Sequence, residues 1–190
     1  MNERTADDSF SEGRLFLGLQ PSTECARYWL ETSRHALGDP SWLRWQSADN
    51  IHLTVHFLGR IGAVAASRLM PAMAAAIAGF GPVQVETGSG AWFPDAERPV
   101  VLVASVYLQP SLAALAGAVE RVVEEIGLPV DPRPFQPHIT LARPRGRPRA
   151  WPPAPFLAPK EFTATQLVLF ESQSDSTGTR YLPRHVFDMT

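Results

Sequence analysis

The tripeptide His-apolar-Thr occurs twice in this chain, first as His52-Leu53-Thr54 and again as His138-Ile139-Thr140. Each copy lies in a short apolar run that predicts a β-strand. In a strand, residues i and i+2 project from the same face, about 6.6 Å apart, so each imidazole has a hydroxyl beside it. Composition alone predicts roughly 0.3 His-x-Thr triplets by chance, so two copies indicate a functional pattern.

Two such strands facing each other across a cleft would bring two imidazoles and two hydroxyls together. Thr54 and Thr140 could then donate hydrogen bonds to the nonbridging oxygens of a phosphate. One neutral histidine could take a proton from the attacking oxygen, and one protonated histidine could give a proton to the leaving oxygen. Because histidine titrates near ~6.5, both forms are accessible at neutral pH. These residue types suit metal-free transesterification or hydrolysis of a cyclic phosphate.

A metal site is the rival interpretation of the first motif, because His52 and His56 have the i, i+4 spacing of a helical zinc pair. The run from Ile51 to Leu58 alternates with period two, however, and therefore predicts a strand. It has no third ligand at zinc spacing. We therefore expect no metal and no cofactor. By the same alternation, His56 shares the face of His52 and Thr54, and either lines the edge of the cleft or faces solvent.

Arginines follow the second motif. By strand parity Arg143 points away from His138 and Thr140, and it can reach the cleft only if the strand ends or bulges near Ala142, which Pro144 favours. Further along, residues 143–159 are rich in proline and arginine and predict an irregular loop. Its arginines form either a basic lip for a polyanionic chain or a solvated surface, and they are Arg145, Arg147 and Arg149.

Composition limits the remaining possibilities. With 190 residues, 45% hydrophobic and 19% charged, the chain can bury a core, and its net charge of −2 gives no global attraction to nucleic acid or membrane. Its one cysteine, Cys25, excludes an intramolecular disulfide and fits a cytoplasmic protein. No apolar run approaches a membrane span. We expect residues 1–13 to form a disordered tail, and residues 14–190 to form one bilobal domain that is a monomer.

The predicted elements place a helix before each His-x-Thr strand, which indicates two similar lobes and an α+β fold with antiparallel sheets. The predicted strands are Arg14–Leu19, Trp42–Gln46, Ile51–Leu58, Val83–Thr87, Val100–Leu108, Pro137–Ala142, Glu161–Phe170 and Arg180–Phe187. The predicted helices are Ser22–Leu37, Ala63–Phe80 with a turn or kink at Pro71, and Ser111–Ile126. A loop, Gly88–Pro99, and a polar turn, Ser172–Gly178, complete the pattern.

Nearly the whole chain after the tail resembles the bacterial and archaeal RNA 2′,3′-cyclic phosphodiesterases, historically called 2′-5′ RNA ligases, of the two-histidine phosphoesterase superfamily. The two long motifs, Asn50–Gly59 and Pro134–Arg143, carry most of this resemblance. Shorter matches support it: Arg14-Leu15-Phe16, Phe93-Pro94, Arg98-Pro99, Leu167–Ser172 and Arg180-Tyr181. Gln136 stands where the family often has a histidine.

The resemblance implies a bilobal α+β fold with two antiparallel sheets related by a pseudo-two-fold axis, helices outside and a central cleft. It implies metal-free opening of a 2′,3′-cyclic phosphate at an RNA 3′ end to a 2′-phosphate, and weak reverse 2′-5′ ligation. His52 and His138 match the catalytic pair, with Thr54, Thr140 and Arg143 binding the phosphate. In this assignment His138 is the base and His52 the acid.

Two alternatives remain at this point. One is a cyclic phosphodiesterase that acts on a small nucleotide or an ADP-ribose cyclic phosphate. The other is a non-catalytic module that binds RNA or nucleotides, although binding alone does not require both histidines.

Overall fold

The computed structural model describes residues 14–146, 148–176 and 178–189, where an antiparallel sheet carries three helices on one face. The predicted tail, residues 1–13, lies outside the described residues. The strands are β1 (Arg14–Leu19), β2 (Leu43–Trp45), β3 (Leu53–Gly59), β4 (Val83–Phe93), β5 (Val101–Val106), β6 (His138–Pro144), β7 (Glu161–Ala164), β8 (Gln166–Asp175) and β9 (Gly178–Asp188). The helices are α1 (Thr23–Leu37), α2 (Ala63–Ile77) and α3 (Pro110–Glu125).

The order of the strands has an internal two-fold pattern. They run β7-β4-β5-β6-β3-β1-β8-β9, with β2 also paired to β6, so each half has four main strands and the halves meet where β6 and β3 touch. At this junction a single residue pair, Leu53 with Ile139, is in register between β3 and β6. The predicted α+β fold with two similar lobes is therefore confirmed, and the two His-x-Thr strands lie side by side at the centre.

The two faces of the sheet differ in what covers them. In β1, Leu15, Leu17 and Leu19 point into the core under the helices and are at most 1% exposed. Phe16 lies on the other face, in a small aromatic cluster with Val168, Phe170 and Tyr181. This alternation follows from the two-residue repeat of a strand. The helices thus seal one face and leave the His-x-Thr face open.

The helix predictions hold with small changes at the ends. Ser22 caps α1 by accepting a hydrogen bond from the backbone N–H of Cys25. The predicted apolar face of α3 is buried, and α3 packs against α2, β3 and β4. Pro71 lies inside α2 without ending it, so the predicted turn there is wrong. Among the described residues, no helix has the length and apolar character needed to cross a membrane.

The predicted loop Gly88–Pro99 is wrong in its first half, because β4 continues to Phe93 and pairs there with β5. Glycines at positions 88 and 90 accompany an irregularity in the pairing between Thr87 and Gly90. A Cβ at Gly90 would lie only 2.5 Å from the carbonyl oxygen of Pro155, so this position needs glycine for close packing of the loop between β6 and β7.

The predicted strand Glu161–Phe170 is divided in two. Its first part, β7, pairs with β4 at one edge of the sheet, whereas β8 pairs with β1 in the other half. The strands β8 and β9 extend into the predicted polar turn, Ser172–Gly178: β8 ends at Asp175 and β9 begins at Gly178. The predicted irregular loop of residues 143–159 begins later than expected, because β6 runs to Pro144. Residues 148–159 contain no helix or strand, and Arg147 lies outside the described residues.

Candidate active site between the two central strands

The single pair that joins the halves also determines how the two motifs meet. Because Leu53 lies opposite Ile139 in an antiparallel pair, Thr54 comes next to His138, and His52 next to Thr140. The two histidines are then diagonal neighbours, whose separation is typically about 7–8 Å. Leu53 and Ile139 are fully buried beneath them. The predicted convergence of two imidazoles and two hydroxyls on the open face follows directly from this register.

Both imidazoles are held by the same local contact. His52 Nδ1 lies 2.7 Å from the backbone carbonyl oxygen of Asn50, and His138 Nδ1 lies 2.8 Å from that of Gln136. A carbonyl oxygen only accepts, so each Nδ1 carries the hydrogen and each neutral Nε2 keeps its lone pair. His52 Nε2 lies 3.1 Å from Thr54 Oγ1, which can donate to it. Both Nε2 atoms therefore keep a lone pair that can accept a proton, and the lone pair of His52 is shared with the Thr54 hydroxyl.

Asn50 is a site residue that the motif pattern did not single out. Its buried side chain donates to the carbonyl oxygen of Thr179 at 2.6 Å and accepts from the backbone N–H of Tyr181 at 3.2 Å. These two bonds tie the turn before β3 to β9, while the Asn50 backbone carbonyl orients His52. A polar residue at the start of an apolar strand was the available signal in the sequence.

A bulge in β6 brings Arg143 to the open face. Thr140 pairs with Val103 of β5, but Ala142 pairs with the adjacent Leu102, so β6 has one extra residue at this point. The extra residue reverses the alternation, which puts Arg143 on the side of His138 and Thr140. Its charge acts on both histidines and lowers the pKa of each. The sequence analysis required the strand to end or bulge near Ala142 for Arg143 to reach the cleft, and β6 does bulge there.

A matching bulge in β3 turns His56 away, so the predicted position of His56 beside His52 is wrong. In the pairing with β1, Thr54 lies opposite Gly18 and His56 lies opposite the adjacent Leu17, so β3 has one extra residue between them. Leu17 faces the helices, and His56 therefore faces them too. The nearby charges that act on the His56 pKa are those of Glu120, on α3, and Asp131, although burial lowers this pKa overall. Phe57, which is 69% exposed, lies on the open face where the alternation predicts His56.

Aromatic rings surround the two histidines unequally, and the motifs did not reveal this. Around His52 lie Phe16 and Tyr181, each with its ring centre 4.7 Å away, and Phe170 at 5.9 Å. His138 has one such neighbour, Phe93, stacked at 4.3 Å. These residues lie on strands β1, β4, β8 and β9, within the shorter segments that match the family, but the sequence does not reveal that strand pairing brings them to the histidines.

This environment disfavours the charged form of both histidines. The pKa of His52 is lowered to about 4, chiefly by burial and to a smaller extent by the charges of Arg143 and His138, against the opposing hydrogen bond to Asn50. Burial also lowers the pKa of His138, as does Arg143, against the hydrogen bond to Gln136. Both imidazoles are consequently mainly neutral at pH 7 in the free protein.

The site residues include no metal-binding cluster that the structure resolves. Within the described ranges, no three His, Cys, Asp or Glu side chains lie grouped as ligands. The side chains gathered at the site are two imidazoles, two hydroxyls and one guanidinium.

Similar proteins agree with this fold. The crystal structure of a Thermus thermophilus protein superposes with a TM-score of 0.81 at 22% identity, over 93% of this chain and 97% of that chain. Proteins named RNA 2′,3′-cyclic phosphodiesterase, from Geobacillus stearothermophilus and Bacillus subtilis, are 30% and 28% identical over 99 and 100 residues. These alignments cover 52% and 53% of this chain, but only 32% and 55% of the two relatives.

The strongest assignment comes from a family model, described as LigT like Phosphoesterase, which matches residues 30–103 and again residues 106–181. Each matched segment contains one His-x-Thr motif, in agreement with the two-fold pattern of the sheet. The two segments together cover most of the chain. This protein therefore belongs to the LigT-like phosphoesterase family.

Proposed function

We propose that this protein hydrolyses 2′,3′-cyclic phosphates at RNA 3′ ends and leaves a 2′-phosphate. The observation that carries this proposal is the pair of imidazoles on neighbouring strands, each with a basic Nε2 on the open face and a threonine beside it. The names of the two relatives also support an RNA cyclic phosphate as the substrate. Neutral imidazoles, hydroxyls and one guanidinium match the needs of a phosphodiester, which has one charge and two nonbridging oxygens.

The reaction requires one proton to be removed and one to be supplied. Water attacks phosphorus and loses a proton to a neutral imidazole, while the bond from phosphorus to O3′ breaks and O3′ takes a proton from the other imidazole. Thr54, Thr140 and Arg143 bind the nonbridging oxygens, and Arg143 balances the negative charge of the transition state. A 5′-hydroxyl in place of water would form a 2′-5′ linkage by the same step.

The surroundings of the two histidines favour the opposite roles to those expected from the resemblance. His52 lies among three aromatic rings and has a pKa of about 4, so it stays neutral and suits the base. His138 has one ring beside it and lies closer to solvent, so a bound phosphate can more readily hold it protonated as the acid. We therefore assign His52 as the base and His138 as the acid.

The direct test is an oligoribonucleotide that ends in a 2′,3′-cyclic phosphate, incubated with the protein in excess chelator. We expect hydrolysis to a 2′-phosphate, identified by phosphorus NMR, and no turnover by the His52→Ala, His138→Ala double variant. Loss of activity with chelator and recovery with zinc would overturn the metal-free mechanism. A 3′-phosphate product would overturn the assignment of O3′ as the leaving group.

A panel of small cyclic phosphates tests the substrate class. Nucleoside 2′,3′-cyclic phosphates and an ADP-ribose cyclic phosphate share the reacting group but lack the RNA chain. We expect the RNA end to give the highest kcat/KM. Preference for a small substrate would assign the protein to a different cyclic phosphodiesterase activity, and binding without turnover of any substrate would make it a binding module.

A further inference from the structure

A second arginine lies beside Arg143 on the open face. In the pairing of β2 with β6, Arg44 stands directly opposite Arg143, so their side chains leave the same face of the sheet. The neighbours of Arg44 confirm its direction. Leu43 is buried in the core, and the Trp45 ring packs on the helix side, where the Arg34 guanidinium of α1 lies 5.6 Å from its centre. Arg44 must then project away from the helices.

Among the described residues, this pair of arginines has no counter-charge. Like charges directly opposite each other on neighbouring strands are destabilising. Both side chains are partly buried, yet neither takes part in an ion pair or a side-chain hydrogen bond in the described part of the chain. Two adjacent guanidiniums with all their donors free make a site for an anion, since guanidinium grips phosphate oxygens with paired hydrogen bonds.

The two arginines differ in their distance from the reacting centre. The charge of Arg143 acts on both His52 and His138, whereas Arg44 is absent from the charges that act on either histidine. Arg143 is thus placed for the reacting phosphate. Arg44 lies on β2, about 5 Å from β6 and on the same side of it as β3, beyond the positions of His138 and Thr140 along β6.

We infer that Arg44 binds a second phosphate of the substrate, the phosphodiester that precedes the terminal nucleotide of an RNA end. This inference rests on the proposed function and adds a specificity residue to it. Arg44 would make the protein prefer an oligonucleotide end over a single nucleotide, because only the former carries a phosphate next to the cyclic one.

The test compares a nucleoside 2′,3′-cyclic phosphate with a dinucleotide that ends in the same group. Arg44→Gln removes the charge and keeps a polar side chain with the same Cβ–Cγ–Cδ stem, and Arg68→Gln, exposed on α2 behind the sheet, is the matched control. We expect Arg44→Gln to lower kcat/KM about tenfold or more on the dinucleotide and to leave the mononucleotide within about twofold. Arg44→Lys should restore part of the loss.

Salt dependence gives a second readout. Removal of one phosphate contact to a single strand should reduce the slope of log kcat/KM against log salt concentration by about 0.7, for the dinucleotide only. Equal loss on both substrates would overturn the inference and place Arg44 at the reacting phosphate. No loss on either would leave Arg44 as a solvated side chain. Loss that appears only with Arg145→Gln, Arg149→Gln would assign the second phosphate to the loop.

A binding measurement separates this inference from the proposed function. Calorimetry with adenosine 3′-monophosphate and adenosine 3′,5′-bisphosphate requires no turnover. We expect the protein to prefer the bisphosphate and Arg44→Gln to lose that preference, even if neither cyclic substrate is hydrolysed. An unchanged preference in Arg44→Gln would overturn the second-phosphate site, whatever the catalytic result.

Discussion

At the scale of single residues, the roles of His52 and His138 can be separated with a sulfur leaving group. We expect His52→Ala and His138→Ala each to lower the rate about 10²–10⁴-fold on a normal cyclic phosphate. In a substrate with sulfur in place of O3′ the leaving thiolate needs no proton, since a thiol has a pKa near ~8.5. His138→Ala, which lacks the acid, should therefore regain most of its hydrolysis rate on this substrate. His52→Ala, which lacks the base, should not.

The control for this experiment is His56→Gln. Because the bulge in β3 turns His56 toward the helices, its loss should leave the rate and its pH dependence unchanged. Rescue of His52→Ala instead of His138→Ala would restore the roles first expected from the resemblance. A large rate loss in His56→Gln, with the fold intact, would contradict the orientation of β3.

Arg143 gives a second prediction at this scale. Arg143→Ala should raise KM or lower kcat by at least about tenfold, because it removes a positive charge that acts on both histidines and can pair with a phosphate. Arg143→Lys should recover only part, since an ammonium cannot grip two oxygens in one plane. Steady-state kinetics measure both effects. Full activity in Arg143→Lys would indicate that a point charge suffices.

At the scale of elements, the contact between β1 and β3 holds the first motif in place. A Cβ at Gly18 would lie 2.9 Å from the carbonyl oxygen of Leu53 and 3.6 Å from the rings of Phe16 and Phe170. We therefore expect Gly18→Ala to cost about 1–3 kcal/mol of unfolding free energy and to lower the rate, because β3 must shift at the joint with β6. Chemical denaturation measures the loss.

The matched control for this prediction is Gly79→Ala. Nothing lies within 4 Å of a Cβ at that position, so this change should leave stability and activity nearly as they are. Equal effects of the two substitutions would show that the joint between β1 and β3 tolerates added volume.

At the scale of the whole molecule, the lowered histidine pKa values make stability depend on pH. His52 has a pKa of about 4 in the folded chain and about 6.5 when unfolded, so the unfolded chain binds more protons between these values. This contribution is complete above pH 6.5 and is lost as the pH falls toward 4. From pH 7 to pH 5, His52 alone should remove about 2 kcal/mol of unfolding free energy.

Urea unfolding at both pH values, for the natural chain and for His52→Gln, measures this contribution. We expect the variant to lose less stability on acidification, because glutamine does not titrate. His56 and His138 also have lowered pKa values, so some dependence on pH should remain in the variant. The same slope in both proteins would show that His52 is protonated as easily in the folded chain as in the unfolded one.

The sequence by itself determined which residues could react and which elements carry them. The repeat of His-x-Thr, the two-residue alternation around it and the apolar face of α3 are local patterns, set by the geometry of a strand or a helix within a few residues. They were sufficient to predict an α+β fold of two similar lobes, with His52, Thr54, His138 and Thr140 on one face. The resemblance to the family rested on the same segments.

Only the tertiary structure decided which face Arg143 and His56 occupy, where the predicted strand Glu161–Phe170 divides, and that Arg44 meets Arg143. Each of these depends on pairing between strands distant in sequence, such as β2 with β6, about a hundred residues further along the chain. A bulge of one residue reverses the alternation, and its position follows from how two strands fit together rather than from either strand alone. Local periodicity therefore predicted the motifs, and long-range register completed the site.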